Sequence, residues 1–573
     1  MTSKQQQFVF VNGPALPTGS DAKSRHIRSA LIRRRISEKQ TNFRREEAVK
    51  RERLIHRRIN LQGESQKHAW KKLCSCWIES QNLGSGQTQM SRSSSSTFLV
   101  TSDGASICGT CSGWRSLELM NTNQEREESP SSLSTVGGRM DPFSPLDASF
   151  GPEVDSLVHF ALTSIWPGFR QSDYAGNCYR AWLLRPSKNQ LLIYTTLWGA
   201  SYHRDVLRMT HGAPEPVLET KEQLYYKGCV LRALHSHIPD YENEDWRDSI
   251  IMAVLYLTIN DHIMEKVARD ASPFTPPFLD LQSLAFYGSR KYHSTHWNFI
   301  QTLLDRLGGI HSINLYGLGW LLSIADLMFA AQALTKPRYP LVDVEGNVLN
   351  LPSAFRAFNI TLESPSLSGP GFRDLLSLTP PIHEDIVDVF LHLGEFSSIV
   401  ELYCNRDLDN FTLDLIADIR NQVHHRLFSL PDEHDSAQCI IQQSNDSGDG
   451  SQSLEVYHTC RLSALLYAVH VTFPVPKSST LRTTLLSQLV EKLHDAYPTM
   501  SYAVLLWCTT VAAIAAEGMI HRQPLVLLAE KLRQDLQIQE LTQFTEILRS
   551  FAWVGVACLD GFYKLWDEMM RLS

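Results

Sequence analysis

No apolar run in this chain is long enough to cross a bilayer. The nearest approach, YAVLLWCTTVAAIAA from Tyr502 to Ala516, stops at Glu517. A spanning helix needs roughly 20 such residues, so a fully buried core helix is expected here and no membrane partner. Cysteine is sparse and irregular: eleven residues, an odd number with no even spacing. The opening MTSKQQQFVFVNGPALP has neither the charged start nor the sustained apolar stretch of a secretory leader. Reduced thiols in the cytosol or nucleus are the expectation. Motifs of local chemistry are also missing. The chain holds no Gly-rich phosphate loop, no HExxH pair, no GxSxG elbow and no EF-hand loop. Enzymatic activity, a cofactor and a metal are therefore not expected.

What is present is uneven in charge. Residues 23–58 carry fourteen Lys and Arg against four Glu, a local +10 in a chain whose total is −7. The remaining 537 residues sum to −17. A basic arm on a mildly acidic body suits a polyanion or a nuclear import receptor as partner, by attraction that is long-ranged and salt-sensitive. Arg33, Arg34, Arg35, Arg44, Arg45, Lys50, Arg51, Arg53, Arg57 and Arg58 are the candidates for import or phosphate contact. Glu46–Lys50 and Glu47–Arg51 sit at i,i+4 in the order that supports an isolated helix. No leucine heptads follow, which argues against a zipper.

Three regions result: a basic arm over 1–60, disordered or partly helical; a Ser/Gly-rich linker over 61–140; and a large folded region over 141–573. The last reads as helix. Ile386, Val389, Phe390, Leu393, Phe396 and Val400 keep 3–4 spacing, as do Ile416, Ile419, Val423 and Leu427. Val456, Cys460, Ala464, Tyr467 and Val471 form a third set, and Leu541, Phe544, Leu548 and Phe551 a fourth. LLIYTTLW, Leu191–Trp198, is the clearest strand-like run. Breaks are expected at Ser364–Gly371, at the TPP before Ile382 and at Ser444–Ser453. The fold class expected is all-α.

Metal candidates fare poorly. Cys74, Cys76, Cys108 and Cys111 offer four thiols, but CxC is a poor knuckle and a Ser/Gly-rich segment separates the halves. His424 and His425 would point about 100° apart on a helix, too far to share one ion. His235 and His237 precede Pro239, at a helix end.

Seven segments, taken in order, resemble the fungal-specific transcription-factor family with the second type of regulatory domain. They are Gln7–Arg35, HWNFIQTLLDRLGGI (His296–Ile310), LLSIADLMFAAQALTKPRYPLV (Leu321–Val342), NQVHHRLFSLP (Asn421–Pro431), Val456–Pro476, Leu505–Ala516 and FAWVGVACLDGFYKLW (Phe551–Trp566). The resemblance implies an all-helical regulatory domain, a nuclear location and a role in transcription, with other transcription proteins as partners and no catalytic site. Many members also carry a six-cysteine zinc cluster, and that spacing is absent here. At the matched positions, Gly308–Gly309 suit a left-handed helix end, and Trp507, Trp553 and Trp566 suit core anchors. Arg461 is expected to reach a carboxylate or carbonyl.

The leading expectation is a nuclear transcriptional regulator whose helical domain receives a partner or small-molecule signal. Its basic arm would serve nuclear import and non-specific DNA contact. The alternative is a helical scaffold or adaptor that acts only through protein contacts and binds no DNA.

Overall fold

Apolar stripes at helical spacing do become helices. In the computed structural model the described residues are three short strands within 98–115 and residues 154–572, apart from 171–172, 185–188, 211–219, 261–268, 361–370, 406–412, 443–449 and 498–499. The chain divides into two units, Met1–Ser129 and Pro130–Ser573. In the first, strands Phe98–Val100, Ser106–Cys108 and Trp114–Arg115 pair antiparallel in sequence order, with Phe98 opposite Cys108 and Ile107 opposite Trp114. They fall inside 61–140. The rest of that segment, and the arm with all ten of its candidate residues, lie outside the described residues.

The described part of the second unit is all-α, with eighteen α-helices from Val154 to Met570. Its only pairings of strand type are the isolated bridges Val342–Val348 and Ile382–Ile441. One apolar core runs continuously through it, from Val154 to Met569. In the first half, Gln190–Thr210 packs against Lys221–His237 and Glu244–Asn260, and the last of these packs on Ser294–Leu307. In the second half, Ser451–Tyr467 packs between Ser479–Asp495 and Tyr502–Ala515, while Glu384–Asn405 lies along Leu413–Phe428. The halves meet where Leu318–Ala333 crosses Leu413–Phe428.

All six stripe residues of Glu384–Asn405 are buried, as are Ile416, Ile419, Val423 and Leu427 of the next helix. Tyr502–Ala515 is apolar on every side and almost wholly buried, the core helix its composition requires. No helix among the described residues is long and apolar enough to cross a membrane. Ser294–Leu307 ends at Gly308, φ 88°, with Gly309 at φ 98°, a left-handed exit that glycine enters without a Cβ clash. At Gly394 the crossing is tighter: a Cβ would stand 2.8 Å from the Phe551 carbonyl oxygen, a backbone atom that cannot swing aside.

Three expectations need correction. LLIYTTLW lies inside the helix Gln190–Thr210 and not in a strand. Its threonines suit a buried helix because Thr195 and Thr196 donate to the carbonyls of Leu191 and Leu192, 2.7 and 2.9 Å away. Phe551 is buried but lies beyond Leu541–Arg549, the helix whose stripe it seemed to continue. The polar break at Ser444–Ser453 is partly helical, since the next helix starts at Ser451.

The tryptophan anchors divide by position. Trp507 is fully buried, donates its Nε1–H to the Ala552 carbonyl at 2.8 Å, and meets Phe372 edge-on at 5.1 Å. Trp553 is buried with Nε1 unpartnered, and Trp566 is partly buried against Phe544. Trp507→Ala is expected to cost about 3–5 kcal/mol, the range for truncating a buried aromatic. A lowered urea midpoint at unchanged slope checks it; an unchanged midpoint would remove Trp507 from the core account.

Candidate ligand cleft

Glu384–Asn405 turns its apolar stripe inward, which leaves Asp388, His392 and Glu395 on one outward face at i, i+4 and i+7. Leu413–Phe428 presents Gln422, His425 and Arg426 beside them. The chain from Pro340 to Ile360 closes the third side, and the cleft between them measures about 910 Å³. That is the volume of a site for a small molecule. Its walls mix apolar groups, among them Leu349, Leu351 and Phe355, with charges of both signs.

Hydrogen bonds hold this geometry. Gln422 grips the loop at one residue: its Oε1 accepts from Leu351 N at 2.7 Å, and its Nε2 donates to Leu351 O at 2.9 Å. Glu395 Oε2 accepts from Phe355 N at 3.4 Å, satisfying an amide at the start of the short helix Ala354–Ala357. Arg426 Nη1 donates to His392 Nδ1 at 2.6 Å. The acceptor nitrogen carries no proton, so the ring is neutral with its N–H on Nε2. Burial, and then the Arg426 guanidinium, lower the His392 pKa from its usual 6.5. His425 Nε2 donates to the Tyr339 carbonyl at 2.9 Å, and burial lowers its pKa too. The cleft thus holds two neutral imidazoles with fixed tautomers, two guanidiniums (Arg356 and Arg426) and two carboxylates. Such a lining can orient a small molecule that has an apolar body and polar ends.

The paired histidines part as their spacing requires. His424 is fully buried, with Nδ1 at 2.6 Å from the Arg420 carbonyl and Nε2 at 2.8 Å from Thr472 Oγ1, while His425 reaches the cleft. His237, at the end of Lys221–His237, stacks on Trp246 with ring centres 3.6 Å apart. Among the described residues no three His, Cys, Asp or Glu side chains are grouped to hold a metal ion. Cys108 falls on the second strand, and Cys74, Cys76 and Cys111 lie outside the described residues.

Arg461 departs from its expectation. It is buried, with Nε unpartnered, and acts through space on Tyr457 and Asp435 instead of bonding a carboxylate or carbonyl. Asp435 is held low chiefly by its hydrogen bond from Lys336. The cleft itself was missed in the sequence. Its signal was the polar face of Glu384–Asn405, opposite the stripe that identified the helix.

No family model, curated protein or solved structure matches this chain.

Proposed function

We propose that this protein is a nuclear transcription regulator of the fungal type, in which a helical domain receives a small-molecule or partner signal and a basic arm serves import and DNA contact. The observation that carries the reading is the order of the seven resembling segments, together with where six of them fall. Those six lie in the helical unit and supply the buried stripe from Val456 to Val471, its Gly308–Gly309 turn and part of the cleft. The cleft supports the receptive half of the reading: a pre-formed, mixed-charge site on an otherwise packed helical body. The arm supports the other half, since +10 within residues 23–58 contrasts with −17 elsewhere.

Changing Arg33, Arg34, Arg35, Arg44 and Arg45 together to Ala should leave a tagged chain largely cytoplasmic, as fluorescence microscopy would show. Undiminished nuclear signal in that variant would remove the arm from import. A chain that enters the nucleus yet retains no DNA would favour the adaptor reading, which the missing six-cysteine cluster already suits.

A further inference from the structure

A second polar cluster contains three buried nitrogens without a hydrogen-bond partner. His470 sits in the π-helical turn Ala468–Thr472, a backbone form concentrated at functional sites. Its ring is only 1% exposed and stacks on Phe274 with centres 5.4 Å apart. Ser272 Oγ accepts from Phe274 N at 3.2 Å and lies 3.2 Å from His470 Nδ1. The hydroxyl can donate to Nδ1 while its oxygen accepts from that amide. In that arrangement the imidazole proton sits on Nε2. Nε2 is buried and has no partner.

Two arginines act electrostatically on the same ring. Asp270 ties its segment to the start of helix Ser479–Asp495: its N donates to the Pro476 carbonyl at 2.9 Å, and its Oδ2 accepts from Ser479 N and Oγ at 3.1 and 2.6 Å. Arg269 precedes it in the chain, and Arg482 stands one turn into that helix, its N bonded to Ser478 O at 2.8 Å. Arg269 Nη1 and Arg482 Nε are both buried and both unpartnered. After burial, these two guanidiniums are what depress the basicity of His470. The nearby carboxylates leave the buried nitrogens unbonded: Asp270 holds Ser479 and has Lys477 at 3.5 Å, and both Asp280 and Asp270 act on Arg269 only through space.

Buried N–H groups of native proteins almost always find an acceptor, and an orphaned one calls for an ion or water. Three together, two of them cationic and beside the positive end of a 17-residue helix, call for negative charge. We propose that Arg269, His470 and Arg482 form a binding pocket for an oxyanion, the phosphate or carboxylate group of a small effector. Nε2–H of His470, Nη1 of Arg269 and Nε of Arg482 are its donors. The pocket stands on these orphaned donors alone and does not depend on the transcriptional reading.

Isothermal titration calorimetry on the full chain, in a buffer free of both anions, tests this with inorganic phosphate and with acetate. Saturable binding of either is expected, and which one binds identifies the group carried by the effector. Arg269→Gln and Arg482→Gln should each weaken it about tenfold or more, a loss of about 1.4 kcal/mol for each factor of ten. Without anion, both variants should melt close to the wild-type temperature, because each guanidinium is only partly buried and its buried nitrogen makes no hydrogen bond that the substitution would break. Three results would overturn the site: no saturable heat with either anion, unchanged affinity in both variants, or anion-free variants that melt well below wild type.

Discussion

Deleting residues 1–60 is expected to abolish DNA binding while leaving the helical unit folded. Outside residues 23–58 the chain is net acidic, so nothing else in the sequence concentrates positive charge comparably. Lys and Arg that neutralise phosphates release counterions, and log affinity then falls linearly with log salt, with a slope of about −0.9 per contact. An arm making about 6–10 such contacts should lose roughly 10³–10⁵ in affinity between 50 and 200 mM salt. Sequence preference should be weak, because phosphate contacts position a protein without reading bases. Fluorescence anisotropy on two unrelated duplexes, with and without the arm, checks all of this. Tight discrimination that survived truncation would move the reading surface into the helices.

Acid should unfold the helical unit well before its carboxylates would. His203, His424 and His470 are buried neutral, their pKa values pushed by burial from 6.5 down to about 4, about 3 and about 3. A folded-state value below the unfolded one means the unfolded chain takes up the proton first. The stability these residues provide is complete above pH 6.5 and is lost as pH falls. Three such protons amount to about 4 kcal/mol per pH unit between roughly pH 5.5 and 4. His392, His425 and His458 shift in the same direction.

Asp326 opposes them. Burial raises its carboxyl from 3.8 to about 6, although it caps Arg338 N and Tyr339 N at 2.6 and 3.0 Å. There the folded state binds the proton first, so stability returns as pH falls from about 6 toward 4, at about 1.4 kcal/mol per unit. Asp418, also raised, acts likewise. The histidines win by number, and urea midpoints should fall steeply from pH 6.5 to 5 at constant ionic strength. His424→Gln, which keeps a donor for Arg420 O and an acceptor for Thr472, should remove about one proton's worth of that slope. Midpoints that do not change between pH 7 and 5 would contradict the burial assigned to these rings.

Helices were legible wherever one face was apolar and the other was not, as in Glu384–Asn405 and Leu413–Phe428. The left-handed exit at Gly308–Gly309 and the buried character of Tyr502–Ala515 were legible too, from glycine's freedom and from an apolar run too short for a bilayer. LLIYTTLW misled because a helix buried all round has no stripe, and β-branched residues then imitate a strand. Phe551 misled because 3–4 spacing continues on paper past the point where a helix ends. The two polar clusters were out of reach for a different reason. The cleft brings Gln422 to Leu351, and the second cluster brings Ser272 to His470, across 71 and 198 residues. Neither leaves a local spacing to read.

The central claim is that the helical unit works on chromatin through its basic arm. Crosslinking the tagged full chain to DNA in growing cells and sequencing what is recovered tests it most directly. The expected result is enrichment upstream of genes, lost when Arg33, Arg34, Arg35, Arg44 and Arg45 become Ala, at equal protein abundance. Recovery no greater than genomic background for the unaltered chain would contradict it and leave an adaptor that acts through protein contacts alone.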